Sequence, residues 1–274
     1  MLKQRLITAL VLISLVVWGI LSLPLVYIAA VFALIILIGA WEWARLSGFE
    51  QFPVRIVYVV LFALTLWQLW EIRDQSRMTS TTAYIALAWW LLALVWLSFP
   101  TIGKVNSVVV RVIKLCTGLL VLIPAWLALI SIHEIPGEGP YWLLYTLSLI
   151  WIADSGAYFS GKTWGRHKLA PKVSPGKTWE GVLGALVLVA VYALVAGIWA
   201  NFSNGPLFYF ILASLLMVPV SIIGDLFESL MKRQAGIKDS GALLPGHGGI
   251  LDRIDSLTAV LPMFLLILLR TGFA

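Results

Sequence analysis

Long uncharged, apolar stretches alternate with short polar ones along this chain, and the apolar stretches have the length a bilayer demands. Crossing the hydrocarbon core takes about 20 apolar residues in a helix, at about 1.5 Å each. Residues 6–41 form one run of 36 uncharged positions. That is enough for two crossings, with Pro24 near the middle as the turn. Seven further spans read at 56–70, 82–99, 115–132, 141–159, 181–200, 207–230 and 251–269. The seventh and eighth spans are divided by Asn201-Phe-Ser-Asn-Gly-Pro206, a dense turn signal. The pattern predicts an all-α polytopic membrane protein of about nine transmembrane helices. Residues 1–140 hold about five of them, and residues 141–274 hold the rest together with two polar loops.

Charge gives the orientation. With the N-terminus placed in the cytoplasm, the inner segments carry 16 of the 19 Lys and Arg residues, leaving Arg73, Arg77 and Arg270 outside. Such a bias marks the cytoplasmic side. An odd number of spans then puts the C-terminus outside. The opening Met1-Leu-Lys-Gln-Arg5 and its apolar run read as an uncleaved first span, since no small-x-small cleavage site stands near residues 21–23.

Composition agrees: 61% of the 274 residues are apolar and 12% charged, where soluble domains carry about a quarter charged. No stretch is polar enough for a separate soluble core. The net charge of +6 is spread between spans and no nucleic-acid module is visible, so lipid and phosphate are the expected anionic partners, not nucleic acid. The single cysteine, Cys116, excludes an intrachain disulfide or thiol cluster and reads as a small core residue. Fourteen tryptophans, many near span ends, fit interfacial belts.

The chemistry collects in two segments, 154–180 and 225–255, which together hold seven of the thirteen acidic and nine of the nineteen basic residues. Polar residues within or beside a span default to function. In the second segment Asp225, Ser229 and Lys232 are spaced i, i+4, i+7 and share one helix face. The last span opens with Asp252-Arg-Ile-Asp255, whose carboxylates also share a face. Carboxylates from two helices, without a His or Cys cluster, suit a hard cation such as Mg²⁺. Lys232, Arg233, Lys238 and Arg253 could neutralise phosphates nearby. Between them Leu244-Pro-Gly-His247-Gly248-Gly249 could turn backbone amides toward an anion.

The first segment contains Gly156-Ala-Tyr-Phe-Ser-Gly-Lys162-Thr163, which matches a phosphate-binding loop letter for letter. That motif works only between a buried strand and a helix. Here it leaves a membrane span carrying Tyr158 and Phe159, so it is set aside. Lys177, in Ser174-Pro-Gly-Lys177-Thr178, is the better phosphate partner as a point charge. Lys162, Arg166, Lys168 and Lys172 suit anionic headgroups equally well.

The order Ser229-Leu-Met-Lys-Arg233, Lys238-Asp239-Ser-Gly241, Pro245-Gly-His-Gly-Gly249 and Leu251-Asp-Arg-Ile-Asp255 resembles the signature of phosphatidate cytidylyltransferases, the CDP-diacylglycerol synthases. Asp154-Ser-Gly-Ala-Tyr158 and Ser174-Pro-Gly-Lys-Thr178 resemble that family too. The specific likeness covers roughly the last 120 residues. It implies that CTP and phosphatidic acid give CDP-diacylglycerol and pyrophosphate, with Mg²⁺ and room for a second cation. It also implies a membrane-embedded homodimer in the bacterial cytoplasmic membrane, with its active site facing the cytoplasm. By position it makes Asp225 and Asp252 metal ligands. Lys177, Lys232, Arg233, His247, Arg253 and Asp255 become catalytic candidates. Asp154, Ser174, Lys177, Thr178, Ser229, Lys238, Gly248 and Gly249 become substrate-binding ones. Two rival readings are a CTP-dependent polyprenol or lipid-alcohol kinase and an ion or anion transporter.

Overall fold

The computed structural model describes residues 13–73, 76–104, 107–241 and 248–273. Helix follows helix: α1 (described over Ile13–Ser22), α2 (Leu25–Leu46), α3 (Phe52–Glu71), α4 (Ser76–Ser98), α5 (Val108–His133) and α6 (Gly139–Trp164). A short antiparallel hairpin, β1 (Lys168–Ala170) and β2 (Ser174–Thr178), leads into α7 (Trp179–Trp199), α8 (Asn204–Gln234) and α9 (Leu251–Thr271). Seven of these helices, α2 to α5 and α7 to α9, are long and apolar enough to cross a bilayer. The chain is a multi-pass membrane protein. α6 is as long as α5, at 26 residues, but Asp154, Ser155, Ser160 and Lys162 dilute its second half.

Local chemistry explains several boundaries. Pro24 ends the first run and, with φ −54° and ψ 145°, stands as the N-cap of α2. Ser107 caps α5 by accepting the Val110 amide at 3.3 Å, and Thr178 caps α7 by accepting Gly181 N–H at 3.2 Å. Pro124, Pro219 and Pro262 all lie inside helices, as membrane helices tolerate.

α9 and α5 form the centre, with α4, α6 and α8 packed on α9 and α2 on α5. One apolar core therefore draws on both halves of the chain. Some tryptophans belong to it and not to an interfacial belt. Trp43, Trp89, Trp90 and Trp96 surround Phe227 of α8 with ring centroids 5.5 to 6.3 Å away. Cys116, expected in the core, is exposed on α5, because the inward face of that helix is taken by Thr117, Gly118 and Val121.

The segment 154–180 departs from the expected loop. α6 continues to Trp164, so the Gly156–Thr163 match to a phosphate loop is helical throughout. Polar side chains at its end leave the backbone hydrogen bonds intact. The remainder is the hairpin, which adds a small β element to an otherwise helical fold. It is clipped to α7 by Trp179 N–H donating to His167 O at 2.9 Å and by His167 Nδ1 lying 2.6 Å from Glu180 Oε1.

Candidate functional site

α8 and α9 run antiparallel in close contact, and Gly224 fixes their register. A Cβ there would lie 2.6 Å from the Asp255 carbonyl oxygen and 3.3 Å from Ser256 Cα. Asp255 therefore stands across from Asp225. Asp252, about 4.5 Å nearer the start of α9, stands across from Glu228. The two carboxylates of Asp252-Arg-Ile-Asp255 serve two neighbouring clusters.

The first cluster joins the hairpin to α8. Lys177 on β2 places its ammonium 2.6 Å from Asp225 Oδ2, and Ser229 Oγ donates to Asp225 Oδ1 at 3.3 Å. Asp154 from α6 and Asp255 from α9 lie within the electrostatic field of this pair. Lys177 thus pairs with Asp225, and two further carboxylates feel its charge. The hairpin earns its place here: β2 carries Lys177 over α8, and Arg233 of α8 donates from Nε to Val173 O at 3.3 Å.

The second cluster lies one turn along. Lys232, nearly buried, donates to Asp252 Oδ1 at 2.6 Å and to Glu228 Oε2 at 2.9 Å. Asp252 Oδ2 accepts from Gly249 N–H at 2.7 Å and from both the amide and the hydroxyl of Ser240 at 3.0 Å. Gly248 has φ +81°, and a Cβ on it would fall 2.6 Å from Asp252 Oδ2, so glycine is required on both counts. Among the described residues one amide of the glycine turn, that of Gly249, donates to an anion, the protein's own Asp252.

The other expected residues are spread around these clusters. Ser174 pairs in register with Ala170, and the Thr178 hydroxyl is engaged in capping α7. Arg233 also donates to Ile237 O at 3.3 Å, while Lys238 and Arg253 are exposed at the rim. His247 lies outside the described residues.

One residue of this site escaped the sequence reading. Glu42, on α2 and nearly fully buried, accepts from Ile250 N–H at 3.0 Å and Leu251 N–H at 2.9 Å, and shares the single Ser240 hydroxyl proton with Asp252, Ser240 Oγ lying 2.8 Å from its Oε2. It satisfies amides at the start of α9 and, through Ser240, steadies Asp252. A buried carboxylate in the middle of Trp41-Glu-Trp43 was the available signal.

The donors at both clusters are oxygen atoms only, which suits a hard divalent cation. Among the described residues no three His, Cys, Asp or Glu side chains gather closely enough to make a ready cation cage. Mg²⁺ is commonly held by one or two carboxylates with substrate phosphates completing the shell, so the donor set fits that ion.

Residues 3–270 match the profile of the cytidylyltransferase family. A phosphatidate cytidylyltransferase of Pseudomonas aeruginosa is 44% identical over 275 residues, covering 100% of this chain and 99% of the relative. The protein of that name from Haemophilus influenzae is 38% identical over 286 residues, covering 96% and 97% respectively. One from Staphylococcus saprophyticus is 41% identical over 139 residues, about half of each chain.

Proposed function

This chain is a member of the cytidylyltransferase family, and on that premise we propose that it is a phosphatidate cytidylyltransferase of the bacterial cytoplasmic membrane. It would join CTP to phosphatidate, giving CDP-diacylglycerol and pyrophosphate. The observation that carries the reading is the pair of carboxylate–lysine clusters where α8 and α9 meet their polar connection. A cytosolic nucleotide and a leaflet lipid can both reach such a boundary. The charge bias supports a cytoplasmic position for it, in a topology that would have nine spans, an inner N-terminus and an outer C-terminus.

The phosphatidate oxygen is already ionised and needs no strong base. It attacks the α-phosphorus of CTP in line: a new P–O bond forms to the lipid phosphate, the bond to the β-phosphate bridge breaks, and pyrophosphate leaves. Bringing two anions together is the main obstacle, so positioning and charge neutralisation carry the catalysis. Lys177 and Arg233 bind phosphate oxygens, with Lys238 and Arg253 at the rim. Lys232 holds Asp252 and Glu228 in place as well as adding charge. Asp225 and Asp252 would hold Mg²⁺, with Asp255 a further carboxylate within reach of Asp225. When bound, the ion would neutralise phosphate charge and favour loss of pyrophosphate. The working unit is taken to be a homodimer, which cross-linking in native membranes would test.

Purified protein supplied with radiolabelled CTP, Mg²⁺ and phosphatidate should move label into the lipid phase and release pyrophosphate. Release of CDP would instead mark a kinase, and uptake by vesicles without nucleotide a transporter. Asp225→Asn and Asp252→Asn should each lower turnover at least ~100-fold while inserting normally. Near wild-type activity of either across a Mg²⁺ titration would remove that residue from the metal site.

A further inference from the structure

We propose that the chain carries a second phosphate-binding site, separate from the clusters above, in a polar cavity of about 490 Å³ on the same face of the bundle. The cavity lies between the α2–α3 connection, the α4–α5 connection, the first turns of α5 and the end of α8. Four basic residues line it, Arg45, Lys104, Arg111 and Lys114, against a single acidic one, Glu50. The site stands independently of the reaction assigned above.

Lys114 is the centre of the case. It is only 6% exposed, yet its ammonium has neither an ion pair nor a hydrogen bond among the described residues. The contrast with Lys232, 8% exposed and held by two carboxylates, is direct. The stem is buried while the ammonium opens into the cavity, where an anion would be its counter-charge. The side chain is held in place from behind. Its own carbonyl accepts from Trp43 Nε1 and from Thr117 Oγ1, both at 2.7 Å, which fixes the backbone of that turn.

The remaining geometry also favours an anion. Val110 and Arg111 bring the N-terminal turn of α5 to the cavity wall, where the helix dipole adds positive potential. Arg45, at the last turn of α2, and Lys104 supply exposed charge at the rim. A phosphate group, with several acceptor oxygens and at least one negative charge, matches an ammonium and guanidinium groups that line one cavity. Free phosphate and the headgroup of an anionic phospholipid share that chemistry.

Gln234 ties the cavity to the catalytic helix. Its Nε2 donates to Ile102 O at 2.7 Å and to Pro100 O at 3.2 Å, so the α4–α5 connection is fastened to the end of α8. Lys232 is two residues away on the opposite side of that helix. A ligand in the cavity would brace the end of α8 without touching the reacting groups.

Thermal unfolding of the full chain in a neutral detergent tests the proposal, with inorganic phosphate titrated in one arm. In a second arm the chain sits in phosphatidylcholine vesicles with or without added phosphatidylglycerol. Wild type should be stabilised in at least one arm, and which arm responds identifies the source of the phosphate. Lys114→Met should weaken the apparent affinity about tenfold or more, while Asp225→Asn should retain it. Arg45→Gln, a rim change that leaves the interior packing alone, should weaken it in the same direction and guards against misfolding of the first variant. Stabilisation that survives both Lys114→Met and Arg45→Gln, that disappears in Asp225→Asn, or that is absent from both arms would overturn the site.

Discussion

At the scale of single residues, Asp225, Asp252 and Glu42 have both carboxylate oxygens engaged, while Glu228 Oε1 is buried without a partner among the described residues. Lys232 sits between Glu228 and Asp252, so Lys232→Met should leave two adjacent buried carboxylates without their cation. A loss of about 3–5 kcal/mol is expected, read as a lower midpoint of unfolding in detergent. Adding Asp252→Asn to that variant should recover part of the stability while activity stays lost. Glu42→Gln replaces one acceptor oxygen by an NH₂ group facing backbone donors. It should cost about 1–3 kcal/mol and lower kcat more than KM, because Asp252 loses its support through Ser240 while the basic residues remain. An unchanged kcat would reduce Glu42 to a purely structural cap. The sequence singled out Asp225 because a charge inside an apolar run needs a reason, and Asp252 and Lys177 by their place in the polar segments beside the spans. It did not reveal their partners. Lys177 meets Asp225 across 48 positions and Glu42 meets Ser240 across 198, and one sequence carries no sign of such pairings.

Among the elements, the helices were readable almost one for one, since apolar length and turn residues decide them. The read spans at 115–132 and 207–230 fall within α5 and α8, and 82–99 overlaps α4 up to Ser98; each helix starts earlier, in its polar flank. Those flanks hold the chemistry. The continuation of α6 past Phe159 to Trp164 and the hairpin beyond it were not legible, because polar side chains at a span end say nothing about whether the backbone stays helical. The α8–α9 contact is the element on which the site most depends. Gly224→Leu should push the helices apart at Asp255 and uncouple the two clusters. Activity should be essentially lost and the unfolding midpoint should fall, whereas the same change at exposed Gly205, where a side chain would meet nothing within 4 Å, should spare the α8–α9 contact.

Across the whole molecule, the halves are not separable bodies. α9 packs on α4 and α5 as well as on α8, and the core crosses the expected boundary near residue 140. The proposed topology can be checked by labelling single cysteines in a Cys116→Ser background. Lys172→Cys, on the hairpin, should react from the cytoplasmic side only, and Gly137→Cys, between α5 and α6, from the opposite side only. Labelling of both from one side would break the odd number of crossings between them.

The contacts of Glu42 also bear on how the protein is made. Ribosomes deliver α2 to the membrane roughly 10–40 s before residues 240–251 exist, at about 5–20 residues per second. Throughout that interval a carboxylate destined for the interior has none of its final donors. Water at the membrane surface or the insertion machinery must shelter it until α9 arrives. Nascent chains arrested before Ser240 should therefore be cleared by membrane proteases faster than the finished protein, and Glu42→Leu should lengthen the life of the arrested chain while ruining the complete one.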